Sequence, residues 1–491
     1  MNHLIKKFSL LFGPLLFVAL QLIGAPEGMP PAAFDVLCIT FWMAIWWVTE
    51  VVPIAVTSLL PIVLFPMTGA LDIGTTTEAY GHKYVFLYLG GFILAIAIER
   101  WDLHKRIALS IISLIGGRIK FIILGFMLAT GFLSMWISNT ATSVMMLPIG
   151  MAIIKVLKDN LATPEDEQQR FGKALMLAIA YSASIGGMAT LIGTPPNLIF
   201  AGIVEELYGV EIGFMEWMLL GLPVAVVLLF LCWIYLTSFA FRFGNAELQG
   251  GRSLIRKLLK DLGKISKQEK RVLAVFVGTA LLWISRSFLI QPFFPAIDDT
   301  IIAIGAGILL FVVPAGKVGE EPSRSLVTWE EAVKLPWGII LLFGGGMALA
   351  QGFEVTGLAA WIGEQLSGLQ YLPLFLLILF LVAAVNFLTE VTSNTATTAM
   401  LLPILAPMAI ATGLHPYLLM IGATLAASCA FMMPVATPPN AVVFESGQLK
   451  ISDMMRAGLF MNLLSIFLIS LLVYYLLPTL WNFRIHEVLT P

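Results

Sequence analysis

Two stretches of this chain, Ser138-Asn139-Thr140-Ala141-Thr142 and Ser393-Asn394-Thr395-Ala396-Thr397, interrupt otherwise apolar sequence with polar residues. A Thr-Pro-Pro-Asn motif follows each stretch, at 194–197 and at 437–440. Polar, helix-breaking residues at membrane depth are costly unless they are satisfied or line a site. Paired breaks in corresponding positions of two halves are the best sequence indicator of a binding site in a membrane carrier. We therefore expect the functional site at these four motifs.

The composition is that of a membrane protein. Of 491 residues, 59% are hydrophobic and 12% are charged, which excludes an ordinary soluble globular chain. Apolar runs long enough to span a bilayer recur, from 9–23 to 459–477. Lys6 and Lys7 precede the first run, as in a signal peptide, but no convincing cleavage site follows it. We interpret this run as a retained first helix, within residues 1–32. The three cysteines have neither disulfide nor metal spacing.

A basic segment at 242–271 predicts the orientation of the chain. Its cationic residues are Arg242, Arg252, Arg256, Lys257, Lys260, Lys264, Lys267, Lys270 and Arg271. By the positive-inside rule this linker is cytoplasmic, and Lys6 and Lys7 place the N-terminus on the same side. Contact with lipid or nucleic acid is a weaker explanation of the same charges, and we expect no nucleic-acid partner.

Shared offsets indicate an internal repeat. The two Ser-Asn-Thr triplets are 255 residues apart (138 to 393), and Gly90-Gly91 matches Gly345-Gly346 at the same offset. The Thr-Pro-Pro-Asn motifs are 243 residues apart (194 to 437), which fits a polar insertion at 158–170 in the first half. We expect a tandem duplication that comprises 33–241 and 272–477, with a C-terminal tail at 478–491.

The expected fold is an all-α polytopic membrane protein of eleven transmembrane helices and two re-entrant helical hairpins. Five crossings in each half follow the helix at 1–32, and their odd number inverts the second repeat and places the C-terminus outside. In the first half they are 33–48, 53–67, 85–98, 173–204 and 215–240; in the second they are 272–289, 301–313, 338–350, 417–444 and 459–477. The hairpins, 121–156 and 373–411, are each too long for one straight span and are broken at the triplets. The crossings that carry Thr-Pro-Pro-Asn should be broken as well, because proline removes a backbone donor.

Such breaks offer ligands for both an anion and a cation. Half-helix N-termini and Asn and Thr side chains donate to carboxylate, while carbonyl, hydroxyl and amide oxygens suit a hard cation such as Na⁺. Two matching motifs suit a substrate with a carboxylate at each end. No Lys, Arg or His lies within 121–154, 174–202, 373–412 or 418–448, so bound Na⁺ is expected to balance a buried dianion.

These motifs resemble those of a known family. Four stretches are similar to motifs of the divalent anion:sodium symporters. They are Ser134-Met135-Trp136-Ile137-Ser138-Asn139-Thr140, Thr389-Glu390-Val391-Thr392-Ser393-Asn394-Thr395, Gly193-Thr194-Pro195-Pro196-Asn197 and Ala436-Thr437-Pro438-Pro439-Asn440. That family comprises the sodium-dependent dicarboxylate and citrate transporters, and the likeness covers nearly the whole chain. It implies a homodimer in a bacterial inner membrane, in which a transport domain moves as an elevator against a fixed scaffold domain.

The resemblance also implies roles for particular residues. The first sodium site would use Ser134, Ser138, Asn139 and the backbone at Gly193; the second would use Thr389, the backbone at Thr392, Asn394 and the backbone at Ala436. Asn139, Thr140, Asn394 and Thr395 would hold the substrate, with Thr194, Pro195, Thr437 and Pro438 beside it. The offsets support this assignment independently, because they map Ser134 onto Thr389 and Gly193 onto Ala436. The family further implies more than two Na⁺ per dianion, and hence electrogenic transport.

Several alternatives remain at this stage. Glu390 could be a proton acceptor, although its first-half counterpart is Met135 and a structural role is favoured. An intramembrane enzyme is disfavoured because neither a Gly-x-Ser-Gly elbow nor paired membrane Asp residues occur. A passive anion channel could use the same broken helices. Proton-coupled or exchange transport of di- or tricarboxylates or sulfate is the main alternative. The leading expectation is Na⁺-coupled symport of C4-dicarboxylates such as succinate, malate and fumarate.

Overall fold

A computed structural model of the chain describes residues 3–115, 118–158, 165–244, 251–318, 321–323, 325–366 and 372–487. The first half contains α1 (His3–Ile23), α2 (Pro31–Thr49), α3 (Ile54–Thr57), α4 (Leu60–Thr68), α5 (Ile73–Glu78), α6 (Lys83–Arg100), α7 (Leu103–Ile115), α8 (Ile119–Ser134), α9 (Asn139–Lys158), α10 (Glu165–Gly187), α11 (Pro195–Tyr208) and α12 (Phe214–Ile234). Parts of the predicted polar insertion (159–164), linker (245–250) and tail (488–491) lie outside the described residues.

The second half begins after the linker. The linker itself contains α13 (Gly251–Asp261). The helices that follow are α14 (Lys267–Ser285), α15 (Asp299–Val312), α16 (Trp329–Ala332), α17 (Trp337–Val355), α18 (Leu358–Leu366), α19 (Leu374–Leu388), α20 (Asn394–Ala411), α21 (Pro416–Ala427), α22 (Pro438–Phe444), α23 (Ile451–Leu471) and α24 (Leu477–Leu480). A short antiparallel hairpin of β1 (Gly316–Val318) and β2 (Glu321–Ser323) is the one departure from an all-helical fold in the described residues.

Among the described residues, eight helical segments are long and apolar enough to cross a membrane. They are Pro31–Thr49, Ile73–Arg100, Asn139–Leu157, Phe214–Ala240, Lys267–Ile290, Trp337–Val355, Asn394–Ala411 and Ile451–Leu480. Shorter apolar helices accompany them, including Phe8–Ile23 and Asp299–Val312. The chain is therefore a helical, multi-pass membrane protein, as expected. The division into eleven crossings and two re-entrant hairpins remains a prediction.

Three features depart from the expected helix map. The crossing expected at 53–67 is two helices, α3 and α4. Additional helices, α7 and α18, follow α6 and α17. The basic linker contains α13, which packs against α7 and α9. Arg106 of α7 anchors the end of that linker, because its Nε donates to Glu269 Oε1 at 2.6 Å and its guanidinium donates to the Gly263 carbonyl at 3.0 Å.

Helix boundaries recur at the spacing of the sequence repeat. α8 begins at residue 119 and α19 at 374, and α9 begins at 139 and α20 at 394, so both pairs are 255 residues apart. α7 and α18 begin at 103 and 358, which extends the same offset to the helices that the sequence did not predict. The two halves therefore share one order of helices from α6 to α11 and from α17 to α22.

The predicted breaks occur where the polar motifs stand. α8 ends at Ser134 and α9 begins at Asn139, where Ser138 Oγ accepts from the Ala141 amide at 3.2 Å. α19 and α20 are separated in the same way, just before the second triplet. α10 and α11 are separated by residues 188–194, and α21 and α22 by residues 428–437. Proline begins α11 and α22, where its missing N–H costs no helical hydrogen bond.

The two halves interlock at the site. α10 packs against α8 and α9 of its own half, and α22 of the second half packs against α9 and α10. Correspondingly, α21 packs against α19 and α20, and α11 of the first half packs against α20 and α21. The two loops that interrupt the broken helices meet at the centre, where Cys429 Sγ lies 3.8 Å from Met188 Sδ. Each half therefore contributes one helix that packs against the broken helix pair of the other half, α8–α9 or α19–α20.

Candidate cation and carboxylate site

The first triplet begins α9 and forms a compact cluster of oxygens. Ser134 Oγ, at the end of α8, lies 2.5 Å from Asn139 Oδ1 and 2.6 Å from the carbonyl oxygen of Ala183 in α10. Ser134 is fully buried. The cluster thus joins both sides of the first helix break to the neighbouring broken span.

The second triplet forms an equivalent cluster. Thr389 Oγ1, just after α19, lies 2.6 Å from Asn394 Oδ1 and 3.0 Å from the carbonyl oxygen of Ala427 at the end of α21. Thr389 occupies the position of Ser134, and Asn394 that of Asn139, as the 255-residue offset predicts. The two halves therefore reproduce the same three-oxygen arrangement.

Each cluster has more lone pairs than protons. A Ser or Thr hydroxyl carries one proton, and in each cluster it lies within hydrogen-bond distance of two acceptor oxygens. Hydroxyl, carbonyl and amide oxygens are the ligands that hard cations prefer. In the described part of the chain, no group of three His, Cys, Asp or Glu residues could hold a metal ion. The clusters therefore fit a weakly bound, oxygen-liganded cation such as Na⁺.

Each triplet also carries hydrogen-bond donors that are not directed into the oxygen cluster. With Oδ1 of Asn139 and Asn394 directed into the clusters, their Nδ2 groups have no partner within the described residues. The Thr140 and Thr395 hydroxyls likewise have no hydrogen-bond partner in that part of the chain, and Thr140 is exposed. All four residues lie in the first turn of a long helix, at its positive dipole end. Each triplet therefore offers a carboxylate one amide donor and one hydroxyl donor.

The asparagines of the Thr-Pro-Pro-Asn motifs hold the intervening loops. Asn197 Nδ2 donates to the carbonyl oxygens of Gly187, Met188 and Thr190 at 3.1, 3.4 and 2.7 Å. Asn440 Nδ2 donates to those of Ala430 and Met433 at 3.1 and 3.0 Å. Both side chains are fully buried. The fourth residue of each motif therefore fixes loop geometry, a role that the sequence analysis did not assign.

Gly187 brings the first loop against the first cluster. A Cβ at this position would lie 2.5 Å from Asn139 Oδ1 and 3.1 Å from the Gly193 carbonyl oxygen. The Gly193 carbonyl and the Asn139 side chain therefore both approach Gly187. The repeat-related position in the second half is Ala430, 243 residues later. Gly187 contributes to the site only because its backbone lies so close to Asn139. In the sequence, the Gly186-Gly187 pair was the feature that could have indicated this close contact.

The remaining predicted residues have varied environments. Ser138 Oγ is engaged as the cap of α9, and Thr437 Oγ1 accepts from the Asn440 amide at 3.3 Å. Thr392 Oγ1 is bonded to the Leu388 carbonyl and to Thr397 Oγ1, at 2.9 and 2.7 Å, so its side chain is occupied within the hairpin. Thr194 and Ala436 are buried in the loops, whereas Pro195 is half-buried and Pro438 exposed at the first positions of α11 and α22.

Glu390, between α19 and α20, is a buried acceptor for four N–H donors. Oε1 accepts from the amides of Phe431 and Met432 at 2.8 and 2.9 Å and from Asn462 Nδ2 at 2.7 Å, while Oε2 accepts from the Met433 amide at 2.9 Å. This geometry agrees with the structural role favoured from the sequence.

A cavity of about 480 Å³ lies next to the first triplet, although Ser138, Asn139 and Thr140 do not line it. Ile137, Ala141 and Thr142, which flank Asn139 and Thr140, line one side of it. Residues at the junction of α6 and α7, including Glu99 and Lys105, line the other side. A small organic anion would fit in this volume.

The chain is a helical membrane protein with an oxygen cluster and a set of hydrogen-bond donors at each of two helix breaks. These features define the class of secondary transporters, in which ligands bind at discontinuous helices. Comparisons with known proteins agree with this class. The family described as "Sodium:sulfate symporter transmembrane region" matches residues 4–482. The sodium-dependent dicarboxylate transporter SdcS of Staphylococcus aureus (strain USA300) is 49% identical over 488 residues, which cover 99% of this chain and 94% of that protein.

Solved transporter structures share the fold at low sequence identity. The YdaH transporter of Alcanivorax borkumensis has a TM-score of 0.55 and 12% identity, covering 83% of this chain and 88% of its own. MtrF of Neisseria gonorrhoeae, described within a class of antimetabolite efflux pumps, has a TM-score of 0.55 and 13% identity, covering 94% and 98%. At such identities only the fold is shared.

The chain belongs to the divalent anion:sodium symporter family. Members of this family are transporters, so the expectation that the protein is not an enzyme is confirmed. Na⁺ is the coupling ion of the family, which agrees with the cation that the oxygen clusters suit.

Proposed function

We propose that this protein takes up C4-dicarboxylates such as succinate, malate and fumarate together with Na⁺. The observation that carries the proposal is the duplicated cluster, in which an asparagine directs Oδ1 towards Ser134 or Thr389 and leaves Nδ2 free. The same side chain can therefore serve a cation on one side and a carboxylate on the other. The 49% identity to SdcS supports the choice of dicarboxylate and of Na⁺.

Charge balance makes coupling obligatory in this proposal. No Lys, Arg or His occurs between 121 and 154, between 174 and 202, between 373 and 412 or between 418 and 448. A dianion in water-excluded surroundings is strongly disfavoured without counter-charge. Na⁺ at the clusters supplies that charge, so substrate should bind well only after Na⁺.

The proposed mechanism is alternating access by an elevator motion within a homodimer. The two hairpins, with α10, α11, α21 and α22, interlock into one unit that carries the site. Moving that unit as a body against the remaining helices would carry the site across the membrane without separating its ligands. The proposed topology is an inverted repeat with eleven crossings and two re-entrant hairpins, with the N-terminus cytoplasmic and the C-terminus outside.

The test is uptake of labelled succinate into proteoliposomes, with an inward Na⁺ gradient or with K⁺ in its place. We expect accumulation with Na⁺ only. Equal uptake in K⁺ would refute sodium coupling, and an imposed proton gradient that drives uptake without Na⁺ would establish the proton-coupled alternative. Counterflow of external label into vesicles preloaded with succinate would distinguish a carrier from a channel.

Sulfate is the second candidate substrate, because the matched family is described by sodium and sulfate. Sulfate is compact and can engage one triplet at a time, whereas a C4-dicarboxylate can engage both. Competition decides between them: a tenfold excess of unlabelled sulfate should leave succinate uptake nearly unchanged, while the same excess of fumarate should abolish it.

A further inference from the structure

In each half, the segment between the two helices of the triplet is hydrogen-bonded to the loop that interrupts the neighbouring broken helix, 188–194 or 428–437. The two hydrogen bonds are chemically different. In the first half, Thr190 Oγ1 of the loop donates to the backbone oxygen of Met135 at the tip, at 2.5 Å, and accepts from the Gly193 amide at 3.1 Å. In the second half, the Met433 amide of the loop donates to the Glu390 carboxylate at the tip. Glu390 is the counterpart of Met135 at the offset of 255, and Met433 is the counterpart of Thr190 at 243. The same two positions are joined by a neutral link in one half and by a charged link in the other.

The four partners of Glu390 are all N–H donors. Three successive backbone amides, Phe431 to Met433, point at the two carboxylate oxygens, and Asn462 Nδ2 adds a fourth donor. A concave run of backbone N–H groups is an anion-binding arrangement. The Asn462 oxygen accepts from the Phe431 amide as well, at 3.3 Å, so Asn462 and Glu390 hold the same stretch of backbone. Charge-assisted hydrogen bonds of this kind are about twice as strong as neutral ones.

The segment that Glu390 holds leads directly to the second cluster. Glu390 follows Thr389, whose hydroxyl belongs to that cluster. On the loop, the Met433 carbonyl accepts from Asn440 Nδ2 at 3.0 Å and from the Ala436 amide at 3.2 Å. Ala436 is the backbone ligand expected for the second cation. The carboxylate therefore fixes the loop from Phe431 to Ala436 and adds a negative charge within a few residues of the cluster, which favours a cation there.

We infer that Glu390 is a positioning residue that holds the 431–436 loop and makes the second cluster the tighter of the two cation sites. This inference deepens the proposed function and rests on it for the effect on Na⁺. Its structural part can be measured without transport, because Cys429 lies in the same loop and is fully buried.

The first measurement is the alkylation rate of Cys429 in the full-length protein, followed by mass spectrometry. Glu390→Gln keeps the shape of the side chain but removes the charge and turns an N–H group towards an amide donor. We expect the rate to rise about tenfold or more, as loss of hydrogen bonds to a charged group predicts. Asn462→Ala, which removes one donor and leaves the charge, should raise it less. Glu269→Gln, at a buried carboxylate paired with Arg106, is the matched control and should leave Cys429 shielded.

The second measurement is the Na⁺ dependence of succinate uptake by the same variants. Glu390→Gln should raise the Na⁺ concentration for half-maximal uptake about tenfold, with a smaller change in succinate KM at saturating Na⁺. Glu390→Asp, which keeps the charge, should restore part of the Na⁺ response.

An unaltered Na⁺ dependence in Glu390→Gln, with only a lower maximal rate, would overturn the role in cation binding. Cys429 that stays shielded in Glu390→Gln and Asn462→Ala, or becomes reactive in the Glu269→Gln control as well, would overturn the positioning role. If the wild-type protein shows no Na⁺-driven uptake, the proposed function fails, and the alkylation rates still decide whether Glu390 holds the loop.

Discussion

The two site clusters have the same oxygen arrangement but different surroundings. In the first, Asn139 is packed against Gly187, where a side chain has no room, and the Thr190 hydroxyl links the loop to Met135 between α8 and α9. In the second, Ala430 stands where the first half has Gly187, and a carboxylate makes the link. The two halves thus share the clustered oxygens and differ in what supports them. The first cluster depends on close backbone approach, whereas the second depends on charge.

The largest expected effect is loss of transport on removing either asparagine. Asn139→Ala or Asn394→Ala deletes the oxygen facing the cation and the N–H group facing the carboxylate. Each should reduce uptake about a hundredfold or more, because two interactions with charged partners are lost together. Gln291→Ala, which removes a remote carboxamide, is the control in the same uptake assay.

Wild-type uptake by both asparagine variants would refute the site assignment. Uptake retained by one variant alone would mean that the two clusters are not used together, and it would break the comparison between them.

A single added methyl group should impair the first cluster, whereas removing one at the corresponding position of the second half should have little effect. Gly187→Ala would place a Cβ 2.5 Å from Asn139 Oδ1, and overpacking of this kind typically costs ~1–3 kcal/mol. We expect half-maximal uptake to require about tenfold to a hundredfold more Na⁺. The converse change in the second half, Ala430→Gly, should be tolerated. A Gly187→Ala variant with normal Na⁺ dependence would show that the first cluster does not hold a cation.

The loop asparagines should differ in their contribution to stability. Asn197 Nδ2 has three carbonyl partners and Asn440 Nδ2 has two. At about 1 kcal/mol for each net hydrogen bond, Asn197→Ala should lower the thermal unfolding temperature in detergent more than Asn440→Ala does. Added Na⁺ should recover less stability in both variants than in the wild type, since the loops carry expected cation ligands. Equal shifts would indicate that the two loops are held alike.

The smallest effect is expected at the neutral link. Thr190→Val removes a hydroxyl that joins Met135 to Gly193 and should raise the Na⁺ requirement only about threefold, as loss of a neutral hydrogen bond predicts. Thr190→Ser keeps the hydroxyl and should behave as the wild type. An effect of Thr190→Val as large as that of Glu390→Gln would contradict the distinction between neutral and charged links.

The sequence predicted the parts of the site that depend on side-chain chemistry. The triplets, the prolines and the shared offsets located the helix breaks. The resemblance to the family grouped Ser134 with Asn139 and Thr389 with Asn394, and these side chains lie in contact in the structure. Breaks are predictable because proline and polar residues in apolar sequence act locally. The carbonyls of Ala183 and Ala427 were missed, because any residue supplies a carbonyl and only the fold selects which ones converge.

Other errors have a similar cause. The helices α7 and α18 were not predicted, since they are short and follow α6 and α17 almost without a break. The link from Glu390 to Asn462 spans 72 residues, and nothing in the local sequence of α23 marks Asn462 as its partner. The packing of α11 and α22 against the opposite half was also not predicted. A shared offset shows which positions of the two halves correspond, but it does not show which helices pack together.

The packing of α11 against helices of the second half has a consequence for biosynthesis. Residues 195–208 form α11, yet α11 packs against α17, α20 and α21, which begin at 337, 394 and 416. During synthesis α11 and its broken loop must remain in the membrane without these partners while more than a hundred further residues are made. A chain truncated after residue 241 would contain every ligand of the first cluster and still lack the helices against which α11 packs. The first half of the gene product therefore completes its fold last, together with the second.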